Sequence, residues 1–219
     1  MADRSDRASE TNRWTEPEWA RRYLGERSRI PHRDEGVDAL VELLPAAPHR
    51  VLDLGTGDGY LMGKIRAARP GVSGIACDFS DEMLDRARAR FGTSAEIQIV
   101  RHDLDDPLPA AWGEFDLVVS SFAIHHVNDA RKQALYGEVL DRLVPGGRFL
   151  NLEHVASPTE ALHDEFLASI GKTRAGDDPS NKLASVEDQL TWLRAVGFAQ
   201  VDCHWKWLEL ALLAGRTPA

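Results

Sequence analysis

The chain has 219 residues, 43% of them hydrophobic and 28% charged, which is the balance of an ordinary water-soluble domain with a large core. No apolar run approaches the roughly 20 residues of a membrane span, and residues 1–13 are polar with none of the apolar stretch of a secretory leader. A net charge of −9 argues against nucleic acid as a partner, and the basic cluster Arg21, Arg22, Arg27, Arg29 and Arg33 is interrupted by Glu26, Asp34 and Glu35, as on a solvated helix face.

In chain order, residues 1–13 read as a disordered tail. Pro17, after Thr15 and Glu16, opens a helix over Trp19–Arg27. A second helix runs from Asp34 to Leu44 with Val37, Leu40, Val41 and Leu44 on one face, and Pro45 and Pro48 end it. Strands and helices then alternate. Strands are expected at Arg50–Leu54, Val72–Cys77, Glu96–Arg101, Phe115–Ser120 and Arg148–His154. Helices are expected at Tyr60–Ala68, Asp81–Arg90 with Ser80 as its cap, Arg131–Leu143 closed by Pro145-Gly146-Gly147, Thr159–Ile170, and Val186–Ala195 closed by Gly197. Two strands, Ala199–Lys206 and Leu208–Ala214, follow with no helix between them and form an antiparallel pair at the sheet edge. The alternation implies an α/β fold, three-layer and doubly wound, with a mostly parallel sheet. Cys77 and Cys203 form no CxxC pair and read as buried thiols of a reducing, cytoplasmic setting, with a disulfide left open.

The stretch VLDLGTGDGYL, residues 51–61, leaves the first strand through Gly55, Gly57 and Gly59. Ligands of open parallel sheets bind at the carboxyl ends of the strands, and glycine lets them approach the backbone. The GxGxG spacing differs from the dinucleotide GxGxxG, and Asp53 lies two positions before the first glycine. That acid repels a pyrophosphate but accepts an ammonium or sulfonium. Asp78 ends the second strand, 19 residues after Gly59, where a carboxylate takes ribose hydroxyls. Asp103, with Leu104, ends the third, where a carboxylate takes the amine of an adenine; Phe79, Met83 and Leu104 offer apolar walls.

VLDLGTGDGYL, ACDFSDEML, RHDLDDPLP, FDLVVSSFAIHHV and LVPGGRFL together resemble the class I S-adenosylmethionine-dependent methyltransferases, closely over residues 48–155. Among these the chain looks like the small-molecule enzymes of the ubiquinone and menaquinone-biosynthesis type. The resemblance implies a seven-stranded sheet of order 3-2-1-4-5-7-6 with the last strand antiparallel. It implies S-adenosylmethionine as cofactor, bound by Asp53, Gly55, Thr56, Gly57, Gly59, Asp78, Phe79, Met83, Asp103, Leu104 and Ser120. It also implies that residues 1–45 are a tail and helical lid on a core at 46–219. Asp58 departs from the usual Ser, Thr or Cys and adds negative charge beside the methionine part.

Methyl transfer by in-line displacement requires alignment and a place for a proton. Candidates come from the ends of the fourth and fifth strands: His125, His126 and Glu153 for catalysis, His154 with His32 and Arg33 for the substrate. No ligand spacing supports a metal. The absence of a [DN]PP[YFW] motif and of a prolyl-cysteine disfavours nucleobase methylation and leaves a small-molecule acceptor, with a monomer or homodimer expected. Two rivals stand beside this: an NAD(P)-dependent oxidoreductase on a related sheet, and a catalytically silent cofactor-binding regulator. Trp205 and Trp207 are expected on one face of a strand, buried against a helix or a partner or serving as a stacking platform.

Overall fold

The computed structural model describes residues 30–92 and 94–218. The expected tail and first helix, with Trp14, Trp19 and Tyr23, lie outside the described residues. The elements are α1 (Arg33–Glu42), β1 (Arg50–Leu54), α2 (Tyr60–Ala68), β2 (Ser73–Asp78), α3 (Asp81–Phe91), β3 (Ile97–Arg101), β4 (Phe115–Ser121), α4 (Asp129–Arg142), β5 (Leu143–His154), α5 (Glu160–Ser169), α6 (Val186–Val196), β6 (Ala199–Trp207) and β7 (Leu210–Arg216). None of the described helices is long and apolar enough to cross a membrane.

Seven strands form one sheet in the order β3-β2-β1-β4-β5-β7-β6. The pairs from β3 through β5 are parallel, and β7 runs antiparallel to both β5 and β6. Alternation along each strand sends side chains to two cores. Leu52, Leu54, Val118 and Phe149 pack against Tyr136 and Val139 of α4 and Leu193 of α6. Val51, Leu117, Val119 and Leu150 pack on the other face with Val37 and Leu40 of α1 and Leu61, Met62 and Ile65 of α2. Each such side chain taken out of water contributes about 1.5–3 kcal/mol.

Three local expectations are corrected. Ser80 occupies the N-cap position of α3 but makes no side-chain cap; Asp78 Oδ1 instead accepts the Ser80 N–H at 2.9 Å. Pro145-Gly146-Gly147 does not separate α4 from the fifth strand. Leu143 already pairs with Phe115, and the ladder resumes at Leu117 and Arg148, so the Pro-Gly-Gly run bulges out of a longer β5. The final hairpin turns at Leu208-Glu209, between the paired Trp207 and Leu210, with Leu208 at φ 45°. Both tryptophans before that turn pack within the chain. Trp205 lies against Gly36 of α1, and the Trp207 ring sits 4.5 Å from His32 and 6.3 Å from Phe166 of α5. Cys77 and Cys203 are free thiols.

Gly74 of β2 is the most tightly enclosed of the described glycines, since a Cβ there would lie 1.9 Å from the Val51 carbonyl oxygen. That oxygen belongs to the neighbouring strand and has nowhere to move. Gly74→Ala is expected to lower the unfolding free energy in urea by about 3 kcal/mol or more; a loss under 1 kcal/mol would show that β1 and β2 can separate locally.

Candidate functional site

A cleft enclosing about 970 Å³ of empty space, its open mouth included, lies at the carboxyl ends of β1 to β4. Its walls come from the loop after β1 (Asp53, Gly55 to Asp58, with Tyr60), the start of α3 (Asp78, Phe79, Ser80, Met83), the loop after β3 (His102 to Asp105) and the loop after β4 (Ser121 to Ala123, His126, Val127). Arg33, at the start of α1, closes one side.

The glycines serve three different purposes. A Cβ on Gly55 would meet Ala123 Cβ at 2.2 Å, so this glycine lets the loops after β1 and β4 touch. A Cβ on Gly59 would meet the Phe91 ring at 2.6 Å, so it serves the packing of α2 on α3 and does not line the cleft. Gly57, at φ 56°, has nothing within 4 Å of a built Cβ and faces the cleft. It is the glycine beside which a ligand has room.

Asp78 joins two of the loops. Its Oδ2 accepts the Gly57 N–H and its Oδ1 the Ser80 N–H, each at 2.9 Å. Burial raises its pKa against these bonds. One backbone hydrogen on each oxygen leaves lone pairs for ligand hydroxyls. Asp53 is buried, with Oδ2 accepting the Thr56 hydroxyl at 2.6 Å and Oδ1 accepting no hydrogen bond among the described residues. Burial pushes its pKa up to about 7, opposed by the Thr56 bond. A buried carboxylate oxygen without a donor, on the wall of a cleft beside Gly57, fits the ammonium end of an amino-acid ligand. Phe79, Met83 and Leu104 form an apolar slot beside the exposed Asp103, whose Oδ1 accepts the Asp105 N–H at 3.0 Å. The acid at position 58 is answered by an arginine not foreseen from the sequence: Arg90 Nη2 of α3 donates to Asp58 Oδ2 at 2.9 Å.

Also on the lining, the Arg33 guanidinium lies 4.2 Å from the centre of the Phe122 ring, and Phe122 is at φ 55°. His126 stands on the same side of the cleft, in the 3-10 turn Ile124–His126. Burial, then the neighbouring His125, lowers its pKa to about 3, so the ring is neutral at physiological pH. His125 and Glu153 lie behind it, outside the lining, with Nδ1 and Oε1 2.5 Å apart. Glu153 Oε1 also accepts the His154 N–H at 2.8 Å. Burial raises Glu153 to about 7 and lowers His125 well below the usual histidine value.

Several residues expected at the site stand away from it. His32 bonds Glu35 at 2.9 Å and stacks on Trp207. His154 Nε2 is 2.8 Å from Glu209, which His163 also reaches. Burial works against the charge of Glu209, but bonds from His154, Ser157 and His163 outweigh it and hold its pKa low. Ser120 is fully buried, its hydroxyl donating to the Leu54 carbonyl at 2.9 Å, and the next residue, Ser121, faces the cleft instead. Sequence reading pointed to the end of the fourth strand without singling out Ser121, Phe122 and Ala123, and it missed Tyr60, Leu61, Ser80, His102, Asp105 and Val127 as lining residues. For Ser121 to Ala123, position just after a strand end was the available signal.

Residues 51–147 match a family model described as a methyltransferase domain. A demethylmenaquinone methyltransferase of Clavibacter sepedonicus is 32% identical over 173 residues, which are 72% of this chain and 69% of that protein. An O-methyltransferase family protein from Burkholderia thailandensis superposes with a TM-score of 0.74 at 20% identity, covering 94% of this chain and 62% of that one. Human N-acetylserotonin methyltransferase in complex with SAM gives a TM-score of 0.61 at 18% identity, covering 90% and 58%. At these identities the two structures carry the fold, and the chain spans between 58% and 69% of the three proteins.

The buried acids set two expectations. An acid with a raised folded pKa stabilises the fold fully below its unfolded value, and that stabilisation is lost as pH rises through the folded value, here about 7. Ligand-free Asp53→Asn is therefore expected to melt above wild type at pH 8.5, with the gap closing toward pH 4. The same variant should bind S-adenosylhomocysteine roughly 10–100-fold more weakly at pH 8.5, from loss of a charge-assisted bond. Glu153→Gln follows the same sign in melting but leaves binding unchanged, because its side chain does not reach the cleft. Melting curves with and without the ligand at both pH values check all of this.

Proposed function

We propose that this chain, which belongs to the S-adenosylmethionine-dependent methyltransferases, transfers the cofactor's methyl group to a small-molecule acceptor on oxygen, nitrogen, sulfur or an activated carbon. The observation that carries the reading is the charge of the cleft. Asp53, Asp58, Asp78, Asp103 and Asp105 line it, and Arg33 is the one lysine or arginine among the described lining residues. Such a wall favours a ligand with ammonium and sulfonium charges and repels a pyrophosphate, which disfavours the nicotinamide alternative.

Asp53 and Gly57 would hold the methionine part of the cofactor, Asp78 the ribose, and Asp103 with Phe79, Met83 and Leu104 the adenine. When bound, the cofactor supplies a methyl carbon on a positively charged sulfur, an electrophile that needs no further activation. The task of the remaining side chains is then alignment and exclusion of water. Arg33 stacked on Phe122 gives the acceptor a flat, cationic wall, and neutral His126 takes a hydrogen bond from the atom to be methylated. The relative named demethylmenaquinone methyltransferase supports a small-molecule acceptor, and two free thiols support a cytoplasmic setting.

Calorimetric titration of S-adenosylhomocysteine and of NAD into wild type and Asp78→Ala tests the reading. Wild type is expected to bind the homocysteine compound and not NAD. Asp78→Ala should weaken that binding about 100-fold or more, from the lost ribose bonds and the loosened Gly57 loop. NAD binding alone would overturn the proposal. Turnover of a panel of small phenols, amines, thiols and quinols then separates an enzyme from a silent binder.

A further inference from the structure

The turn that carries His126 is gripped from outside by the segment 177–184, between α5 and α6. The Lys182 N–H donates to the His125 carbonyl at 2.8 Å, and the Ala156 N–H to the Ala184 carbonyl at 2.9 Å. The fully buried Lys132 ammonium donates to the Val127 carbonyl at 2.8 Å, to Asp129 at 2.9 Å and to the Lys182 carbonyl. One cation thus fastens the segment to the end of the turn, with its charge spread over three oxygens.

Within the segment, Asp178 Oδ1 accepts both the Ser180 N–H at 2.9 Å and the Ser180 hydroxyl at 2.8 Å. Having given its hydrogen to a carboxylate, the Ser180 oxygen presents only lone pairs to His126 Nδ1, 3.2 Å away. The Ser180 carbonyl oxygen, which has no hydrogen to give, lies 3.4 Å from the same nitrogen. Two acceptors on one ring nitrogen require that nitrogen to be the donor. In a neutral imidazole the proton then sits on Nδ1 and the lone pair on Nε2.

We propose that Asp178 and Ser180 are positioning residues for methyl transfer, acting through His126 by fixing its tautomer so that Nε2 accepts a hydrogen bond from the acceptor's O–H, N–H or S–H group. The inference rests on the methyltransferase reading for its purpose, and on the Asp178–Ser180–His126 chain alone for its geometry. Asp178 matters because it decides which way the serine hydroxyl points. Without that carboxylate the hydroxyl is free to donate to Nδ1 and drive the proton to Nε2, where it blocks the acceptor.

The nitrogen-15 shifts of the His126 ring, assigned by their disappearance in His126→Gln, test this in the protein without ligand. Wild type and Ser180→Thr are expected to show a protonated Nδ1 and an unprotonated Nε2. Asp178→Ala should move the population toward protonated Nε2. With an acceptor from the panel above, Asp178→Ala is expected to lower kcat about 100-fold, the size of a lost alignment of the reacting atom, with the affinity for S-adenosylhomocysteine unchanged and activity retained by Ser180→Thr. A wild-type ring protonated at Nε2, or an Asp178→Ala enzyme with full kcat, would overturn the proposal even if Asp178→Ala proved unstable, because the first measurement needs wild type alone. Failure of wild type to bind S-adenosylhomocysteine would instead sink the methyltransferase reading and leave the tautomer result standing.

Discussion

Parallel pairing in register holds the ends of the central strands level. Leu54 lies opposite Cys77 on one side and Ser120 on the other, and the Ser120 hydroxyl ties the β1 and β4 ends together at the Leu54 carbonyl. Apart from Arg33 of α1, the walls of the cleft come from the loops and first helical turns that leave these strand ends. The glycine turn, the Asp78 carboxylate and the Phe122 ring therefore meet because of backbone pairing, before any side chain chooses a partner. A slip of one residue would exchange the two faces of β1, burying Leu52 where Asp53 now stands.

The same sheet imposes a conflict that the site exploits. Strand ends in a doubly wound fold are covered by helices, so acids placed there lose water. Asp53 and Asp78 both have raised pKa values from burial, and each is only partly repaid by hydrogen bonds within the chain. Groups left in this condition lower the stability of the ligand-free protein and raise its appetite for a cationic ligand. Asp58 shows the other solution, where Arg90 answers the charge at the margin of the cleft. Position, more than residue type, separates an acid that waits for a ligand from one that is already satisfied.

Most of the sheet was legible from the sequence because its signals are local: apolar runs, glycine and proline breaks, and helix lengths. The strand order came from resemblance to a family and not from periodicity. Asp53, Gly57, Asp78 and Asp103 could be placed at the cleft because each sits at a strand end. Ser120 satisfies the same rule, yet its hydroxyl bonds a neighbouring carbonyl, since direction alternates from residue to residue along a strand, while Gly59 caps α2 and packs by Phe91. Arg33 lines the cleft while the adjacent His32 stacks on Trp207, a choice settled by the first turn of α1. The segment 177–184 gave no warning at all. It has no periodicity, and its contacts with His125, His126 and Lys132 join residues about fifty positions apart.

Among the described residues the outer strand β6 pairs with β7 on one side only, and its ladder is interrupted twice in nine residues, between Ala199 and Asp202 and again between Cys203 and Trp205. Asp202, His204 and Lys206 are exposed along it. An incoming strand from another molecule would find its hydrogen-bonding groups out of step with those on offer and would have to desolvate charge to lie alongside. The irregularities that look like flaws in the hairpin are thus of the kind that blunts edge-to-edge pairing.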